Sequence, residues 1–76
     1  MARINKLQRI EKNRNSIHNI SQATYSVFTL GGNKYFQIDT YGSNFRENPG
    51  VCSQSIQLNK ETAMELKELL KKEFGI

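Results

Sequence analysis

The chain has a single cysteine, a single proline, a single histidine and no tryptophan. One cysteine, Cys52, excludes an internal disulfide and fits a reducing compartment. One histidine, His18, beside that lone cysteine supplies no four-ligand set for structural zinc. No apolar run approaches the ~18 residues that would cross a bilayer. The basic N-terminus lacks the apolar stretch of a secretory signal, so a cytoplasmic location is expected. Asn19-Ile20-Ser21 spells a glycosylation sequon that has no meaning without secretion. Glycine-rich phosphate loops are missing too, because Gly31-Gly32 is turn chemistry. Asp39 and Glu47 make no acid/base pair, and Cys52, placed mid-strand on an inferred buried face, is an inert thiol. The expectation is a non-enzymatic protein with no metal, no cofactor, no membrane contact and no evident small-molecule substrate.

What the chain does have is periodic apolar patterning within 76 residues of net charge +4. That charge is unevenly placed. Residues 1–33 hold Arg3, Lys6, Arg9, Lys12 and Arg14 against Glu11, while cations and acids balance over residues 34–76. A localised basic arm is the electrostatic footprint of a polyanion partner, nucleic acid above all. Residues 1–16 read as that arm. Ile4, Leu7 and Ile10 recur every three positions, so the arm is either a short amphipathic helix or a frayed tail.

Residues 17–76 read as one domain. The clearest strand is 34–41, where Phe36 and Ile38 alternate with Tyr35, Gln37, Asp39 and Tyr41. Residues 23–30 are rich in β-branched and aromatic side chains, with Tyr25 and Val27 on one face and Phe28 and Leu30 on the other. Gly31-Gly32-Asn33 joins these two strands as a hairpin. A loop of turn formers follows, ending in Pro49-Gly50 and carrying Phe45 and Arg46. The last strand, 51–58, sets Cys52, Gln54, Ile56 and Leu58 on one face and Val51, Ser53, Ser55 and Gln57 on the other. Another short strand is possible at 17–21. Asn59 is a good N-cap for a helix whose Ala63, Leu66, Leu70 and Phe74 form an apolar stripe, stopped by Gly75. The expected class is α+β: a small antiparallel sheet of three to four strands, then one C-terminal helix packed on one face, with a flexible basic arm in front.

A chain of this size hides only about 60 % of the surface its unfolded form exposes, so a homodimer is expected. The candidate surface combines cations (Arg3, Lys6, Arg9, Lys12, Arg14, Lys34, Arg46) with aromatics (Tyr35, Tyr41, Phe45). Cations that track phosphates and rings that stack bases are the general recipe for single-stranded nucleic acid. The other reading is a small phage or mobile-element module of anti-defence type, whose patterned polar face binds a host protein.

The run Tyr35-Phe36-Gln37-Ile38-Asp39-Thr40-Tyr41, then Pro49-Gly50, then Ser55-Ile56-Gln57-Leu58-Asn59-Lys60-Glu61 and a Leu-Lys-Glu-Leu-Leu helix resembles the single-stranded DNA-binding domain of the transcriptional positive cofactor four family, which has bacterial and phage relatives. The resemblance spans about residues 23–72 and lies in pattern more than in identical motifs. It implies a four-stranded antiparallel sheet with a following helix, dimerisation through helices and sheet edges, single-stranded DNA on curved sheet faces and a link to transcription regulation. The chain departs from the family at Val51-Cys52-Ser53-Gln54, where basic residues and glycine are usual, and at Gly42, where an aromatic is expected. It also resembles a set of small uncharacterised bacterial and phage proteins that share the Tyr-Phe-Gln-Ile-Asp-Thr-Tyr-Gly and Ser-Gln-Ser-Ile-Gln runs.

Overall fold

The computed structural model describes residues 1–42 and 52–76. It is α+β: four strands, β1 (Ala2–Ile4), β2 (Ala23–Leu30), β3 (Asn33–Tyr41) and β4 (Cys52–Leu58), and one helix, α1 (Lys60–Phe74). The sheet runs in the order β1-β4-β3-β2. β2, β3 and β4 are antiparallel neighbours, as their alternation and the glycine turn require. Gly31 and Gly32 both adopt positive φ, 60° and 81°, the two-residue turn whose twist matches a hairpin. Asn59 caps the helix by accepting the Thr62 amide at 2.9 Å, and Gly75 ends it in the left-handed conformation with its own amide on Lys71.

The N-terminus is where the fold departs from expectation. Residues 2–4 are neither helix nor frayed tail; they form an edge strand, parallel to β4, with Ala2 opposite Ile56 and Ile4 opposite Leu58. The sheet is therefore mixed. A clasp explains why so short a strand holds. The hydroxyl of Thr62, a residue with no exposed surface, lies 2.9 Å from the Ile4 carbonyl oxygen and 3.4 Å from that of Asn5. Farther along, the Leu7 amide donates to Glu65, and Arg9 reaches Glu73 near the far end of the helix. Residues 4–9 thus run beside α1 and do not form a helix of their own. The possible strand at 17–21 does not form; Ile17 and Ile20 stand in solvent, 100 % and 96 % exposed.

A second correction concerns β4. The register with β3 shifts between Thr40 and Tyr41, so that Thr40 faces Gln54 while Tyr41 faces Cys52. Ser53 is the extra residue of this bulge. Its insertion turns Cys52 away from the face of Ile56 and Leu58 and onto that of Ser55, where the thiol is exposed.

The helix packs on β3 and β4, and Tyr25 and Val27 on the same face of β2 remain exposed. Leu58 is the one apolar residue in the buried class among the described residues. The stripe of α1 lies over the sheet as the periodicity requires, yet Leu70 and Phe74 remain exposed.

Candidate functional site

The face of the sheet turned away from α1 carries a hydrogen-bonded row. Gln57 donates to Gln37 at 2.8 Å, and Gln37 donates to Asp39 at 2.9 Å. The Ser55 hydroxyl also donates to Asp39, and the Cys52 thiol lies 3.3 Å from Ser55. Strand alternation brings these groups together, because directly opposed residues share a face: Gln37 opposite Gln57, Asp39 opposite Ser55. Donation from Ser55 first, then from Gln37, holds the Asp39 carboxyl below its ordinary range; desolvation opposes this and the Cys52 thiol adds to it. At one end of the row Tyr41 shares a hydrogen bond of 2.9 Å with Thr24. At the other, Tyr35 stacks on Phe28, their ring centroids 5.4 Å apart.

Beyond Tyr35 the sheet ends in a cleft of about 530 Å³ where three separate pieces of chain meet. β1 and its exit contribute Arg3, Ile4 and Asn5; the hairpin contributes Asn33, Lys34 and Tyr35; the start of α1 contributes Asn59, Lys60 and Glu61. Three cations against one acid give the lining a formal charge of +2. Among the described residues, no carboxylate is within ion-pair distance of Arg3, Lys34 or Lys60. The positive end of the helix dipole points into the same region, although Asn59 already occupies the Thr62 amide. The cleft can hold an anion by charge and, through Asn5, Asn33 and the tyrosine hydroxyl, offers neutral hydrogen-bonding groups around it.

The fold thus joins Arg3, Lys34 and Tyr35 of the sequence-derived candidates at one place. Tyr41 shares the open face but sits at its opposite end, on the far side of Asp39. Lys6, Arg9, Lys12 and Arg14 follow β1 and do not line the cleft; Arg9 is engaged with Glu11 at 3.0 Å and Glu73 at 3.4 Å. Phe45 and Arg46 lie outside the described residues. Lys60 is the residue that sequence reasoning missed. Its signal was its place immediately after the N-cap, where a cation opposes the helix dipole and needs another reason to be there.

Among the described residues no group of three His, Cys, Asp or Glu side chains is disposed to hold a metal ion. No helix among them is long and apolar enough to cross a membrane. The chain matches no protein-family model, no curated protein and no solved structure.

Proposed function

We propose that this protein binds single-stranded nucleic acid without catalysing a reaction on it. A backbone phosphate would sit in the Arg3–Lys34–Lys60 cleft, and an adjacent base would lie against Tyr35. The observation that carries this reading is the convergence of those three cations, from three elements distant in sequence, beside an aromatic pair on an open sheet face. Phosphate attraction with ring stacking is the sequence-tolerant way to hold a single strand.

The same electrostatics set a path. Asp39 is an ionised carboxylate in the middle of the face, held so by its hydrogen bonds. The polar groups around it are already bonded to one another. A polyanion is therefore favoured at the Tyr35 end and disfavoured across the centre. The exposed cations that follow β1, Lys6, Lys12 and Arg14, add long-range attraction.

Anisotropy titration of a labelled single-stranded oligonucleotide over a range of salt concentrations tests the reading. Lys34→Ala and Lys60→Ala should each reduce the slope of log affinity against log salt by about 0.7, the contribution of one phosphate contact on a single strand. Tyr35→Ala should weaken binding roughly fivefold or more at every salt concentration and leave the slope unchanged, as expected for a lost stacking contact. Absence of binding at low salt would overturn the proposal. A salt-resistant, stoichiometric host protein captured by the same surface would then favour the protein-interaction module of the anti-defence type.

A further inference from the structure

The cationic cleft at the end of the sheet has a neighbour. Beside it lies an apolar recess of about 330 Å³ walled by Val27 and Phe36, and Lys34, Tyr35 and Lys60 line both spaces. Val27 is 48 % exposed, so the recess opens to solvent. One compartment is charged, the other apolar, and three side chains form their common wall. That is the layout a single nucleotide needs: a phosphate among the cations, and a base against Val27, Phe36 and the edge of the Tyr35 ring.

Charge and route decide which nucleotide of a strand fits. The cleft lining sums to +2, from Arg3, Lys34 and Lys60 against Glu61. An internal phosphodiester carries a single negative charge. A terminal phosphomonoester carries about 1.5 to 2 at neutral pH and presents three strong acceptor oxygens. The monoester matches the lining, whereas one diester leaves positive charge uncompensated. The ways out of the site are also restricted. On the open face the ionised Asp39 carboxylate stands farther along β3, among polar groups already bonded to one another. On the other face α1 packs over β3 and β4. An internal nucleotide needs the strand to continue in two directions; an end nucleotide needs one.

We propose that the site takes the terminal nucleotide of a single strand, its phosphomonoester among Arg3, Lys34 and Lys60 and its base in the Val27–Phe36 recess. The inference rests on nucleic acid being the ligand and narrows that ligand to a phosphorylated end. Ends phosphorylated at the 5′ and at the 3′ position share this chemistry, and the test separates them.

Anisotropy of one internally labelled oligonucleotide sequence in three forms tests the proposal: 5′-phosphate, 3′-phosphate, and hydroxyl at both ends. One phosphorylated form should bind on the order of tenfold more tightly than the hydroxyl form. Lys60→Ala should cut that ratio to about threefold or less. Lys72→Ala, in the last turn of α1, should leave the ratio unchanged. Deoxyadenosine monophosphate, phosphorylated at the preferred position, should displace the oligonucleotide at lower concentration than either inorganic phosphate or deoxyadenosine. Equal affinity of all three forms would overturn end recognition while leaving strand binding intact. Displacement by inorganic phosphate as effective as that by the nucleotide would overturn the recess as the seat of the base. Failure of every form to bind at low salt would instead refute nucleic acid as the ligand, and end recognition with it.

Discussion

Thr62→Val tests whether the clasp between β1 and the helix holds the N-terminus in the sheet. Valine has the shape of threonine without its hydroxyl, so the packing around this fully buried side chain is preserved. The hydroxyl has one proton to give. The hydroxyl lies 2.9 Å from both Asn59 Oδ1 and the Ile4 carbonyl oxygen, but Asn59 Oδ1 already accepts the Thr62 amide, so the proton is best spent on Ile4. Removing it leaves that carbonyl short of a partner, at a cost of about 1–2 kcal/mol. The N-cap survives, since it uses the backbone amide and the Asn59 side chain. In a domain this small each kcal/mol moves the melting temperature by about 4–8 °C, which gives a fall on the order of 5–15 °C for Thr62→Val. Calorimetry or far-ultraviolet dichroism at matched protein concentration reads it. Thr62→Ser, which keeps the hydroxyl and loses a methyl, should fall less than valine. Coincident melting of Thr62→Val and wild type would refute the clasp, and a larger loss for serine than for valine would assign the site to packing alone.

Two further outcomes follow from local geometry. Asp39 has its carboxyl held below the ordinary range in the folded state, so its stabilising contribution is complete above the unfolded value of about 4 and is lost as pH falls through the lower folded value. Asp39→Asn should therefore flatten the acid limb of a stability–pH curve, and identical limbs for the two proteins would remove Asp39 as a source. Gly32→Val puts a β-branched residue at φ 81° in open space, so its cost is backbone strain alone, about 1–2 kcal/mol; a urea midpoint equal to that of wild type would contradict the turn.

The parts of the fold legible in the sequence are those specified by near neighbours along the chain. Alternation in 34–41 and the paired glycines before it identify β3, the hairpin and therefore β2. Asn59 and Gly75 frame the helix because capping is a property of a few adjacent residues. Two features were hidden for physical reasons. A three-residue strand is too short to show any period, and the partner of Ala2 is Ile56, far along the chain. The bulge at Ser53 shifts the alternation of β4 by one residue, which moved Cys52 from the expected apolar face to the polar one. The candidate site divides in the same way. Arg3, Lys34 and Tyr35 were visible as suitable chemistry, but their meeting with Lys60 is a product of β1 docking beside the helix N-terminus.

That docking has a kinetic consequence. β2, β3, β4 and α1 follow one another in sequence and pair with near neighbours, whereas β1 must close the long loop from Ala2 to Ile56 before its first ladder bond forms. The residues of β1 are thus among the last to find their place. Until β4 and the first turn of α1 have been made and paired, Arg3 and the cations that follow it form a tethered polycation with no assigned position. Completion of the cleft is a late event, so a population in which β2, β3, β4 and α1 have formed can precede any state with all three cations assembled.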